Sequence, residues 1–236
     1  MRNTLTLLLL LCTSVWGMAQ SEIAIYSGTA SPTAVSVANS SITALSRGPG
    51  VVAGGGTTFN SSDWSQLTFV DPSLNTDYLE WSITADAGFV VTVEQIEISY
   101  SRNGAGPNNI SLRASPDNYV TPLFFDYSVS TGGETALSTL TSPQVSAAGG
   151  TLTFRLYGFM ATAATGTFDI RGGLTSTSSL SLSDIGIRLI GAVDPANDVT
   201  SEAVGPLPSA QITAQAIQPG LSKNVLRFRI EDKGSG

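Results

Sequence analysis

The stretch that decides the fold is Tyr78-Leu79-Glu80-Trp81-Ser82-Ile83-Thr84. Leu79, Trp81 and Ile83 alternate with polar neighbours. A period of two puts successive side chains on opposite faces, so this is a β-strand with one buried and one wet face. Working outward, Phe89 to Tyr100 repeats the signature, with Ile96, Ile98 and Tyr100 opposite Glu97 and Ser99. A turn cluster, Ser101 to Asn109, leads into Ile110-Ser111-Leu112-Arg113, and the spacing predicts an antiparallel hairpin.

Further strands are expected at Ile23–Tyr26, Ser41–Leu45, Tyr119–Phe125, Thr151–Phe159, Thr167–Ile170 and Leu180–Ile190. Residues 28–62 are rich in Gly, Ser, Thr and Asn but punctuated by Ile42, Leu45, Val51, Val52 and Phe59. That pattern suits a long loop packed over a sheet edge. Apart from the N-terminus, no long stretch has a helical apolar period. Nine or ten short strands with no helix imply an all-β fold: an antiparallel two-sheet β-sandwich, jelly-roll-like.

The N-terminus reads as a signal peptide over residues 1–19. Arg2 supplies the positive start, Leu5 to Leu11 the apolar run, and Gly17-Met18-Ala19 the small residues before cleavage. The run is too short to cross a bilayer, which takes roughly 20 residues. Localisation is therefore expected to be secreted or cell-surface, with no membrane insertion after cleavage. The single cysteine, Cys12, leaves with the leader. The sandwich is expected over 20–193 and a linker over 194–207, marked by Asp194-Pro195 and Gly205-Pro206-Leu207-Pro208. Residues 208–236 read as the truncated start of a second β domain, with strands at Gln211–Ile217 and Val225–Ile230.

Composition removes whole classes of chemistry. The chain has 236 residues and no histidine, so it can build neither a Ser-His-Asp triad nor an imidazole base. Without His or a retained Cys the usual zinc sites cannot form. The two lysines, Lys223 and Lys233, lie beyond the sandwich, which excludes a lysine nucleophile there. The formal charge of −7 becomes one unit more negative once Arg2 is removed. That argues against nucleic acid and anionic membranes as partners.

What remains is the chemistry of carboxylates and aromatic rings. Glu80, Glu94, Glu97, Asp126, Asp169 and Asp184 are the carboxylates that a glycosidase-type pair would need, but no spacing brings two together. Glu80 and Glu97 fall on polar strand faces, where solvated charge is expected. Asp169 and Asp184 flank late strands and are candidate ligands for a structural calcium ion; the competing reading is an Asx cap. Trp64, Tyr119 and Tyr127 sit beside turn signals and are candidate stacking surfaces for sugar rings. For them the competing reading is partial burial at a sheet edge.

The run from Ser41 to Val193 resembles a module of large secreted proteins of Bacteroidetes, of the kind exported by the type IX system. Leu45-Ser46-Arg47-Gly48-Pro49-Gly50, Phe59 to Trp64, Asp77 to Ile83, Ile96 to Arg102, Ser111 to Ser115, Thr153 to Gly158 and Thr167 to Ile170 carry the resemblance. The segment after residue 208 resembles the opening of an Ig-like domain that follows such modules. The resemblance implies a non-catalytic extracellular β-sandwich module of a larger secreted or cell-surface protein, with a structural or adhesive role. The alternative is a carbohydrate-binding module attached to a catalytic domain outside this chain, with an extracellular polysaccharide as partner.

Overall fold

The computed structural model describes residues 21–68, 71, 74–126, 128–172, 186–196, 212–214 and 228–230, with the side chains of 134–138 left aside. Two units are distinguished, Met1–Ala196 and Asn197–Gly236. The second contributes two short antiparallel strands, Ile212–Ala214 and Phe228–Ile230, with Ile212 opposite Ile230.

The first unit is a sandwich of two antiparallel sheets. Its strands are β1 (Ser21–Tyr26), β2 (Ala34–Ser36), β3 (Ser40–Arg47), β4 (Val52–Ala53), β5 (Phe59–Ser62), β6 (Tyr78–Ala85) and β7 (Phe89–Arg102). Then follow β8 (Asn109–Ala114), β9 (Pro122–Asp126), β10 (Glu134–Val145), β11 (Thr151–Phe159), β12 (Phe168–Ile170) and β13 (Ile187–Pro195). The larger sheet contains the run β1-β13-β7-β10, with β2 outside β1 and β12, β5 and β4 continuing from the end of β7. The smaller runs β3-β6-β11-β8-β9. Eight strands in the order β1-β13-β7-β10 over β6-β11-β8-β9 make a jelly roll.

That order corrects one expectation. β7 and β8 are not a hairpin. β7 pairs with β13, β10 and β12, while β8 pairs with β11 and β9 in the other sheet. The connection between them is an arch from sheet to sheet, and Arg102 holds its shape. The guanidinium donates to the carbonyls of Val129 (2.8 Å), Asn103 and Gly104 (3.2 Å each) and to Asn108 Oδ1 (2.7 Å). Asn103 Oδ1 accepts from the amides of Ala105, Gly106 and Thr167. Saturating the backbone in this way gives the loop a fixed form without a ladder.

Three other boundaries differ. Within residues 28–62 the expected strand Ser41–Leu45 is part of β3, and β2, β4 and β5 are added to it. β10 was not expected at all. β13 continues through Asp194 and Pro195, which the sequence reading assigned to the linker. The expected strand start at Leu180 lies outside the described residues.

The core follows from alternation. β6 sends Leu79, Trp81, Ile83 and Ala85 inward, β11 Leu152, Phe154 and Leu156, and β8 Ile110, Leu112 and Ala114. The larger sheet answers with Val91, Val93, Ile96, Ile98, Tyr100, Ile187, Leu189, Phe168 and Ile170. In β7 the inward positions switch from odd to even numbers at a bulge. Val93 faces Gly191 and Gln95 faces Ile190, leaving Glu94 as the extra residue. Trp81 stacks on Phe154 at 6.0 Å and 23°. The Tyr26 hydroxyl crosses the sandwich to donate to the Ser82 carbonyl at 2.8 Å. That bond satisfies a polar atom whose burial pushes its pKa well above the ordinary tyrosine value.

Glu97 departs from the solvated role expected of it. It lies on the outward side of β7, yet its side chain is fully buried. Its Oε2 accepts from Arg188 Nε at 2.7 Å and Nη2 at 2.5 Å, and Arg188 also faces Glu22 at 3.6 Å. Burial raises the Glu97 pKa, and the Arg188 charge works against that rise.

Candidate functional site

The outer face of the smaller sheet gathers three of the sequence motifs, those on β6, β8 and β11, into one place. Pairing β6 with β11 sets Glu80 opposite Arg155 and Tyr78 opposite Tyr157. Side chains directly opposite on one face of an antiparallel pair interact. Arg155 Nε donates to Glu80 Oε2 at 2.7 Å. Tyr78 and Tyr157 meet edge to face at 5.4 Å. The Arg155 guanidinium lies over the Tyr78 ring at 4.2 Å and over the Tyr119 ring at 4.1 Å. The cation is thus held between two aromatic faces and fixed along one edge by a carboxylate. Burial lowers the Arg155 pKa, but the Glu80 carboxylate and the Tyr157 hydroxyl outweigh it and hold it above the ordinary arginine value.

Tyr119 reaches this position by an unusual backbone. A short 3₁₀ turn, Ser115–Asp117, ends on Asn118 at φ 59°, and Tyr119 follows at φ 63°. The left-handed region is common for asparagine and uncommon for an aromatic residue. Three contacts impose it. The Tyr119 amide donates to the Ala114 carbonyl at 3.0 Å. Arg113 Nη1 donates to the carbonyls of Tyr119 (3.0 Å) and Val120. The Asp117 carboxylate accepts from the amides of Val120 (3.2 Å) and Thr121 (2.7 Å). Tyr119 is half-buried and Val120 exposed. Burial raises the Tyr119 pKa, and the Arg155 charge opposes the rise.

The flanking loops explain the remaining motifs. Gly50 donates its amide to the Thr76 carbonyl at 3.1 Å, and a Cβ on it would stand 1.8 Å from Asp77 Oδ1. That atom is a side-chain one; at Gly48 a Cβ would stand 2.4 Å from the Thr76 carbonyl oxygen, so the Arg47-Gly48-Pro49-Gly50 turn fits against that backbone only with glycine at position 48. Arg47 covers the Phe59 ring at 3.8 Å and donates to Ser61 Oγ and to the Asn60 carbonyl at 2.8 Å each. Between β5 and β6 an open cleft of about 350 Å³ is lined by Ser65, Leu67, Asp71, Leu74, Asn75 and Asp77. Leu67 and Leu74 are both largely exposed there.

The site residues expected from sequence fare differently. Trp64 is 2% exposed, its Nε1 donates to the Ser61 carbonyl at 2.8 Å, and its ring meets Phe168 edge-on at 5.6 Å. It is a core residue, so it offers no ring to solvent. Tyr119 presents part of its ring outward. Tyr127 lies outside the described residues. Asp169 Oδ1 accepts from the Thr58 hydroxyl at 2.6 Å, tying β12 to the segment before β5. Asp184 lies outside the described residues. Among the described residues, no group of three or more His, Cys, Asp or Glu could hold a metal ion.

Arg155, Arg113, Tyr78 and Tyr157 were missed as site residues. A signal existed: Tyr78-x-Glu80 and Arg155-x-Tyr157 share the same spacing on strands of opposite charge. No protein-family model matches the chain. No curated protein matches it either.

Proposed function

We infer that the chain is a non-catalytic extracellular β-sandwich module of a larger secreted or cell-surface bacterial protein. Its role is structural and adhesive, and the outer face of the smaller sheet is its contact surface. The observation that carries this reading is the use made of the acidic side chains. Glu80 is bonded to Arg155, Glu97 to Arg188, Asp126 to the Tyr100 hydroxyl at 3.0 Å, and Asp169 to Thr58. Each of these carboxylates joins two parts of the scaffold. A general acid or base needs instead to face a substrate atom within hydrogen-bond reach. The leader-like N-terminus and the acidic, lysine-poor composition support export and a non-nucleic-acid partner.

The test is retention of the purified, fluorescently labelled protein on bacterial envelopes and on insoluble extracellular polysaccharide. Saturable retention, with no release of soluble fragments or reducing ends, is expected. Absence of retention on every surface would remove the adhesive role, and turnover of the polysaccharide would remove the non-catalytic one.

A further inference from the structure

Tyr119 combines three properties that packing alone does not require together. Its backbone is left-handed, the residue is only partly buried, and one face of its ring is covered by the Arg155 guanidinium. The ring rests on Arg155, Arg155 rests on Tyr78, and Glu80 holds the guanidinium by its Nε. Arg113 and Asp117 clamp the chain at and just after Tyr119, and the Ala114 carbonyl accepts from its amide. Of the five non-glycine residues at positive φ among the described residues, three are Asn or Asp, for which the conformation costs little; Tyr119 and Met160 are the other two. A strained conformation kept on the surface is a feature of binding sites, where the geometry is worth more than the local stability.

We propose that Tyr119 is the stacking platform for a pyranose ring of an uncharged extracellular polysaccharide, with the Glu80 carboxylate and the side chain of Thr153 on the central strand β11 beside it. A rigid aromatic face loses little conformational entropy on binding and matches the apolar face of a sugar ring. Carboxylate and hydroxyl groups at its border can bond the ring's hydroxyls. The Glu80 carboxylate, 25–31% exposed together with its partner Arg155, neutralises the cation under the ring. The net negative charge of the chain repels an anionic polymer. The proposal rests on the adhesive reading and names its ligand class.

The experiment is affinity electrophoresis of the whole protein through gels containing hydroxyethylcellulose, xyloglucan, xylan, laminarin or galactomannan. Alginate and polygalacturonate serve as charged controls. Three variants accompany the native protein: Tyr119→Phe, Tyr119→Ala and Tyr119→Gly. Glycine adopts φ 63° without strain, so Tyr119→Gly keeps the turn while deleting the ring. Retardation by at least one neutral polymer is expected, reduced at least tenfold in Tyr119→Ala and Tyr119→Gly and within threefold of native in Tyr119→Phe. Retardation that survives deletion of the ring overturns the proposal, as does retardation by the charged polymers alone or by none. Retention on bacterial envelopes, measured in parallel, separates the two ideas. If it persists while every neutral polymer fails, the ligand class is wrong and the adhesive reading stands.

Discussion

Replacing Trp64 by alanine separates a core indole from a surface one by energy alone. Trp64 is 2% exposed, packs edge-on against Phe168, covers Gly158 and bonds the Ser61 carbonyl. Truncating a buried Trp to Ala costs about 3–5 kcal/mol through lost transfer energy and the cavity left behind. For a domain of this size each kcal/mol lowers the midpoint by about 2–4 °C, so Trp64→Ala is expected to melt roughly 6–20 °C below native. A surface tryptophan would cost within about 0.5 kcal/mol. The reasoning has a second arm at Gly158, where an added Cβ would stand 2.5 Å from Trp64 Cε3 and 2.8 Å from Cζ3. Gly158→Ala alone should cost about 1–3 kcal/mol by overpacking. In the Trp64→Ala background that clash is absent, so the second substitution should be nearly neutral. Urea denaturation followed by circular dichroism measures all four corners of the cycle. A loss below about 1 kcal/mol for Trp64→Ala, or additive effects of the two substitutions, would refute the packing described.

Two further outcomes follow from single positions. Gly48→Ala places a methyl 2.4 Å from the Thr76 carbonyl oxygen and should destabilise the protein clearly, whereas Gly104→Ala, with nothing within 4 Å, should leave the midpoint nearly unchanged; differential scanning calorimetry on both reads the contrast. Burial raises the Glu97 pKa in the native state, so the native protein holds that proton more tightly than the unfolded chain does. Its stabilising contribution is full below the ordinary carboxylate value and is lost as pH rises through the raised one. Native protein should therefore lose stability relative to Glu97→Gln as pH climbs from about 4 towards neutrality, and a flat difference between their urea midpoints over that range would contradict it.

The parts of the fold that were legible in the sequence are those where one face of a strand is uniformly apolar. Leu79, Trp81 and Ile83 announce β6, and Ile96, Ile98 and Tyr100 announce the second half of β7. β10 was invisible because Ala136, Ser138 and Leu140 hold the alternate positions, and only one of them is large and apolar. The arch between β7 and β8 carries the same Gly, Asn and Pro signals as a hairpin turn. What decides between them is the bond from Arg102 to Val129, a contact far apart in sequence. Trp64 sits among Ser62, Asp63, Ser65 and Gln66, so its neighbours suggest exposure; the space that buries it comes from Gly158 on β11. Tyr119 was readable as an aromatic residue near a turn. Its left-handed backbone and its stacking on Arg155 depend on β8 and β11 and have no local signature.

The most direct test of the architecture is residue-resolved amide hydrogen exchange in the native protein. Strands paired on both sides, β7 in the larger sheet and β11 in the smaller, should exchange slowest, with β6 and β8 close behind and the short edge strands β2 and β4 fastest. The amides of the Asn103–Asn108 arch should lack the alternating ladder protection of a hairpin. Slow exchange alternating across β7 and β8 as partners, or equal protection in β2 and β11, would contradict the two-sheet order on which the outer-face site depends.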